Sequence, residues 1–184
     1  MDKEKKEIRS LIRERKKLYS NEVLAELSDQ LFEKLEKYEK FLNADNILLY
    51  YSLPDEVFTH KFIEKWFGKK KIILPVVIGN DLELREYSGK DCLKKGCFNI
   101  EEPQGKLWEN TGTIDLAIIP GMSFDYNGNR LGRGKGFYDR LLSELSVYKI
   151  GICFGFQIWN EGIPAEEFDV IMDEVWTEKG RVLK

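Results

Sequence analysis

The chain has 184 residues, 42% apolar and 33% charged, which fits a soluble globular chain with a charge-rich surface, most simply one domain over residues 1–184. A net charge of −3, from 29 basic and 32 acidic residues, excludes a chain built as a whole to coat nucleic acid. Cys92, Cys97 and Cys153 contain no Cys-x-x-Cys pair, which argues against a disulfide framework or a zinc knuckle. The charged start from Asp2 and the lack of any apolar run of bilayer length lead to the expectation of a cytoplasmic protein with no membrane partner.

Residues 2–18 read as a helix with Ile8, Leu11, Ile12 and Leu18 on one face. Lys5, Arg9 and Lys16 share another face, with Arg13 and Lys17 beside it. Eight cations against four acids in residues 1–17 leave this helix basic within an acidic chain. That face is either a solvated surface or a contact for an anionic ligand. Ser20 is placed to cap a second helix, whose stripe Leu24, Leu27, Leu31, Leu35 and Tyr38 reads as core.

Asn46–Ser52 is an apolar run of strand length, broken by Pro54-Asp55-Glu56. A helix is expected over Phe58–Phe67, with His60, the chain's one histidine, as a surface residue near its start. Lys71–Ile78 reads as a strand whose Pro75 must lie at an end or an edge. Gly79-Asn80-Asp81 then turns the chain into the alternating antiparallel strand Leu82–Tyr87. Residues 88–113 read as a long irregular loop, the length at which loops are usually functional. Strands follow at Ile114–Ile119, Lys149–Phe156 and Val170–Val175, with a helix over Phe137–Leu145. Strands alternating with helices give an α/β fold. The expected architecture is a three-layer sandwich, a mostly parallel central sheet flanked by helices, with two helices at the N-terminus.

The chemistry concentrates in Pro120–Arg140. There Gly132, Gly134 and Gly136 alternate with Arg133 and Lys135, and Arg130 stands just before them. Glycines let backbone N–H groups approach a ligand. Strand, basic glycine loop and helix start together describe a phosphate site. It is not a P-loop, because Gly136 follows Gly134-Lys135 where Ser or Thr is required. It is not the dinucleotide fingerprint either, because the third glycine comes one residue early and Phe137 holds its place. Asp139 is either a first-turn helix acid or a carboxylate for Mg2+. Asp125-Tyr126-Asn127-Gly128 is a turn, with Asp125 placed to orient Arg130.

The run Pro-Gly-x-x-Phe-Asp-x-x-Gly-x-Arg-Leu-Gly-x-Gly-x-Gly-x-Tyr-Asp, Pro120 to Asp139, resembles the signature of the 5-formyltetrahydrofolate cyclo-ligase family. Four further segments resemble that family: Lys5 to Arg9 with Arg13 and Arg15, Tyr50-Tyr51-Ser52 to Asp55-Glu56, Phe98-Asn99-Ile100 to Pro103, and Asp173-Glu174-Val175. The resemblance implies ATP-driven cyclisation of 5-formyltetrahydrofolate to 5,10-methenyltetrahydrofolate. The formyl oxygen is phosphorylated, N10 attacks the activated carbon, and phosphate leaves.

By the same resemblance, ATP is held by Lys5, Arg9 and the loop Arg130, Leu131, Gly132, Arg133, Gly134, Lys135, Gly136, Phe137 and Tyr138. The folate meets Tyr51, Glu56, Phe98 and the segment Arg133–Phe137. Arg133 and Lys135 are the implied catalytic residues, and Asp139 and Asp173 the implied Mg2+ ligands. The expected partners are these small molecules alone, with no nucleic acid, and the expected state is a monomer. Phe58, Phe98 and Phe168 depart from the family pattern, which often has an acid, a Trp and a His at those places. Two other readings of the loop remain: a nucleic-acid-binding module and a sugar-phosphate enzyme.

Overall fold

Charged, amphipathic segments open the chain and apolar ones follow, and the fold keeps that order. The structure, a computed structural model, describes residues 2–95 and 101–182, without the side chains of Lys95, Glu101 and Glu102. Helix α1 (Asp2–Lys16) turns Ile8 and Ile12 inward. Helix α2 (Asn21–Leu35) begins where the Ser20 hydroxyl accepts from the Val23 N–H at 3.3 Å, and it buries Leu24, Leu31, Phe32 and Leu35. A short α3 (Glu39–Asn43), which the periodicity does not announce, follows.

Strand β1 (Asn46–Leu48) is shorter than its apolar run. Beyond Leu49 the backbone leaves the ladder for local partners: Ser52 N donates to Thr59 Oγ1, Thr59 N to Ser52 Oγ, and the Thr59 hydroxyl to Tyr50 O. That lattice also delays α4 to His60–Trp66. Strand β2 (Lys71–Ile78) matches its run and pairs with antiparallel β3 (Asp81–Glu86) across the two-residue turn Gly79-Asn80. Ile73 O faces β1, accepting from Leu49 N, while Ile72 O faces the other neighbour, accepting from Tyr87 N. Pro75 shares Ile73's side, where β1 has already ended, so its missing N–H costs no ladder bond.

The segment read as a long loop holds a small antiparallel ribbon, β4 (Leu93–Lys95) with β5 (Glu101–Pro103). Then come β6 (Leu116–Pro120), the hairpin β7 (Ser123–Phe124) and β8 (Arg130–Leu131), helix α5 (Phe137–Ser143), β9 (Tyr148–Ile152), β10 (Glu174–Thr177) and β11 (Gly180–Val182). Strand β10 begins four residues later than the apolar run suggests. Ile171 is exposed and Met172 N is spent on Gly128 O at 2.9 Å.

Seven strands form one sheet in the order β11-β10-β9-β6-β1-β2-β3. The five inner strands are parallel and the edge strands β3 and β11 antiparallel. Alternate residues serve opposite faces. Ile47, Ile72, Leu74 and Ile118 meet Leu31, Phe41 and Ile63 from α2, α3 and α4. Leu48, Ile73, Ala117 and Ile119 meet Leu141 and Leu142 of α5 on the other face. These are the three expected layers. A separate cluster of Ile8, Ile12, Leu131 and Ile163 docks α1 against β8.

Candidate active site

The order of the sheet places the site. From β1 the chain crosses by α4 to β2 on one side, and from β6 by α5 to β9 on the other. Between β1 and β6 the winding reverses, and the crevice beyond the carboxyl ends of such strands is where open α/β sheets bind ligands. Tyr50–Glu56 leaves the end of β1, and the glycine loop leaves the hairpin that follows β6.

The hairpin is fixed by Asp125. It accepts from Asn127 N and Asn129 N at 2.9 Å, from Asn129 Nδ2 at 2.7 Å and from Ile163 N at 2.9 Å. Asp125 therefore does not orient Arg130, as the turn reading expects. That partner is Asp139, whose Oδ1 accepts from Arg130 Nη2 at 2.8 Å, with side-chain exposures of 4% for Arg130 and 16% for Asp139. Arg130 also donates to Pro120 O and lies over the Tyr138 ring, whose hydroxyl burial pushes up. The pair is a buried strut between β8 and α5. Neither member offers its charge freely to an outside phosphate.

Past the strut the chain opens. None of the backbone N–H groups of Gly132, Arg133, Gly134, Lys135 and Gly136 donates to another group among the described residues. Gly134 and Gly136 have φ of 97° and 69°, a region L side chains avoid, so glycine at these places is a conformational requirement. Helix α5 has seven residues, so these N–H groups and the cations around them carry the site more than a helix dipole does. Arg9 Nε donates to Gly132 O at 2.8 Å and its guanidinium sits against Gly134. Lys135 is exposed, and no ion pair of it occurs among the described residues.

Arg133 reaches the segment leaving β1. It bonds Asp55 and, at 3.2 Å, Glu56 Oε1, while Glu56 Oε2 accepts from Leu53 N at 3.0 Å. Burial raises the Glu56 pKa, against the opposing pull of the Leu53 N–H and Arg133. Tyr51 stacks on His60 with ring centroids 3.8 Å apart, and His60 Nε2 lies 3.0 Å from Ser52 O; the histidine is exposed, as expected. Leu131 is core, Phe137 lies under the Arg140 guanidinium, and Phe98 lies outside the described residues.

Two expected residues stand elsewhere. Lys5 is buried and paired with Asp169 at 2.6 Å and Glu166 at 3.1 Å, tying α1 to the segment before β10. Asp173 is not brought to Asp139. It accepts from Lys149 N at 2.7 Å, at the amino ends of the parallel strands, while Asp139 lies at α5's first turn by their carboxyl ends. Asp173 lines a surface cavity with Ser143, Glu144 and Tyr148, beyond the other end of α5. Lys149 pairs with Ala117, three residues before Pro120, so roughly 10 Å of strand lies between the level of Asp173 and the Pro120 carbonyl that Arg130, the partner of Asp139, bonds. Among the described residues no three His, Cys, Asp or Glu side chains converge on a metal position. The Asp139–Asp173 pair does not fit Mg2+, because one acid is held by Arg130 and the other faces a different end of the sheet.

Sequence reasoning misses the partners of these charges. Asp169 and Glu166 lie 164 and 161 residues from Lys5, with no local signal joining them. No helix among the described residues is long and apolar enough to cross a membrane.

Comparison with known proteins bears on the sequence and the fold as a whole. The chain is 32% identical to the mouse 5-formyltetrahydrofolate cyclo-ligase, covering 95% of this chain and 93% of that protein. It is 30% identical to the Escherichia coli protein of the same name, over 91% and 96% of the two chains. The structure superposes on that of Aquifex aeolicus 5,10-methenyltetrahydrofolate synthetase with a TM-score of 0.86 at 32% identity, covering 96% of this chain and 91% of that one. The family model described as the 5-formyltetrahydrofolate cyclo-ligase family matches residues 1–178, and the chain belongs to that family.

Proposed function

We propose that this chain cyclises 5-formyltetrahydrofolate to 5,10-methenyltetrahydrofolate at the expense of ATP. The formyl oxygen attacks the γ-phosphorus, forming an O–P bond as the bond to ADP breaks. N10 then attacks the activated carbon and loses its proton, and phosphate departs with the formyl oxygen. Such a reaction needs alignment and charge stabilisation rather than a covalent nucleophile on the protein.

The observation that carries this reading is the run of five N–H groups in Gly132–Gly136 that have no partner among the described residues, between Arg9, Arg133 and the exposed Lys135. Fixed donors and cations of this kind stabilise charge on phosphoryl oxygens. Arg9 shapes the loop and faces the phosphates. Arg133 and Lys135 serve the transferring group. Arg130 and Asp139 hold the loop to α5, and Lys5 sets α1 so that Arg9 reaches the loop. Tyr51, Glu56 and Phe98 meet the folate, Glu56 accepting hydrogen bonds from pterin nitrogens. Mg2+ would enter as the ATP complex, with phosphate oxygens as its main ligands.

The test mixes the protein with 5-formyltetrahydrofolate, Mg2+ and ATP and follows the absorbance of the methenyl product. An ATP-dependent rise is expected. A flat trace with ATP present overturns the reading.

A further inference from the structure

The glycine loop is held by its carbonyls. Arg9 Nε from α1 donates to Gly132 O at 2.8 Å, and Arg140 Nη1 from α5 donates to Lys135 O at 3.2 Å. In a planar trans peptide the C=O and N–H of one unit point in opposite directions. Pinning Gly132 O therefore aims the Arg133 N–H away from Arg9. Pinning Lys135 O aims the Gly136 N–H away from Arg140.

Arg140 is itself held. Its Nε donates to Asp81 Oδ1 at 3.0 Å, its Nη2 donates to Asn80 O, and its guanidinium lies over the Phe137 ring. Asn80 and Asp81 belong to the tight turn from β2 into β3, where Ile78 pairs with Asp81. A Cβ at Gly136 would come within 2.8 Å of Arg140 Nη1, so the bare glycine leaves the guanidinium its place. The Arg140 and Asp81 side chains are 47% and 73% exposed, and an ion pair so open to water contributes little to stability. What the planar fork does supply is fixed geometry, with the loop oxygen and the two turn oxygens bound in one relation.

We propose that Arg140 is a positioning residue for phosphoryl transfer. It braces the glycine loop against the β2–β3 turn, so that Lys135 and the Gly136 N–H meet the phosphates in the geometry the reaction needs. Arg140 touches no substrate atom, and the turn becomes part of the support of the site. The inference rests on the reading of the loop as the phosphate site.

The test is steady-state kinetics of Arg140→Met beside its thermal unfolding. The expected result is a kcat lowered about tenfold, with the KM for 5-formyltetrahydrofolate within about twofold and the unfolding temperature unmoved. Arg140→Lys keeps the charge without the fork and should recover only part of the loss. Full recovery would mean that charge alone suffices and overturns the brace. Asp81→Ala frees one prong and should lower kcat about threefold, with no further fall when combined with Arg140→Met. It carries the same comparison if the Met variant fails to fold. A fall that adds to that of Arg140→Met would separate the turn from Arg140 and overturn the brace. The decisive arm is the Lys135→Ala background, where Arg140→Met should lower kcat by a further threefold or less, about, because its effect passes through Lys135. A larger further fall means that Arg140 acts on the phosphates by itself and overturns the inference. An unchanged kcat in Arg140→Met, with the wild type turning over, overturns it too and leaves the functional reading intact. A wild type with no ATP-dependent turnover removes both.

Discussion

The two ends of the parallel sheet treat the same chemical groups in opposite ways. At the amino ends, acids satisfy backbone donors. Asp115 Oδ2 accepts from Asp45 N and Asn46 N at 2.9 and 2.8 Å, and Asp173 Oδ2 from Lys149 N at 2.7 Å. At the carboxyl end, Gly132–Gly136 leaves its N–H groups unpaired among the described residues and carries cations instead of acids. One end closes its hydrogen bonds internally and becomes a foundation. The other closes those around Asp125 and Glu56 but leaves the donors of Gly132–Gly136 for a ligand. An unpaired donor is tolerable there because the loop faces water until a phosphate replaces it.

The largest expected effect lies at the open end. Lys135→Ala should lower turnover roughly 10²- to 10³-fold, the scale of losing one oxyanion donor, with little change in stability. Steady-state kinetics beside a urea titration checks both halves, and an unchanged kcat would break the contrast. Next comes the strut beneath the loop. Asp139→Ala leaves Arg130 buried without its counter-ion and should cost about 3 kcal/mol of stability. Asp139→Asn, which keeps an acceptor, should cost less. Turnover lost in Asp139→Ala at unchanged stability would show that Asp139 serves a ligand rather than the strut.

How much of this could be read from the chain depends on whether the determinant is local. The β2 run Lys71–Ile78, the Ser20 cap and the glycine loop each carry their signal within a few residues, and the structure has them where expected. The strand read at Val170–Val175 slides to Glu174–Thr177 because apolar character alone cannot say that Ile171 faces solvent. The run after Asn46 is cut short by hydrogen bonds to Thr59, a tertiary fact. At the site, spacing identifies which cations share a face of α1. It cannot tell that Lys5 is already spent on Asp169, or that Asp173 precedes a strand at the wrong end of the sheet to join Asp139.

That last point gives a smaller test. Asp173→Ala removes the acceptor of a backbone N–H at a partly exposed position and should cost about 1 kcal/mol, with turnover unchanged. Loss of turnover without loss of stability would place Asp173 in the chemistry and erase the distinction between the two ends.

The smallest effect is in pH dependence, and it probes the foundation. Glu174 follows Asp173, and its carboxylate is 9% exposed. Burial alone would raise its pKa, but Trp176 Nε1 at 2.8 Å, Tyr38 Oη at 2.9 Å and Arg181 Nη1 at 3.0 Å, with Tyr148 beside them, outweigh it and hold the pKa below the ordinary 4.5. An acid depressed in the folded state binds fewer protons there than in the unfolded chain. Its contribution is therefore complete above the ordinary carboxylate value and drains away as pH falls through the lowered folded value. Urea unfolding of wild type and Glu174→Gln should give curves that differ at neutral pH and converge in that acidic window. Parallel curves through the window would mean that the acids at this end are bystanders, and that the loop alone sets how the two ends differ.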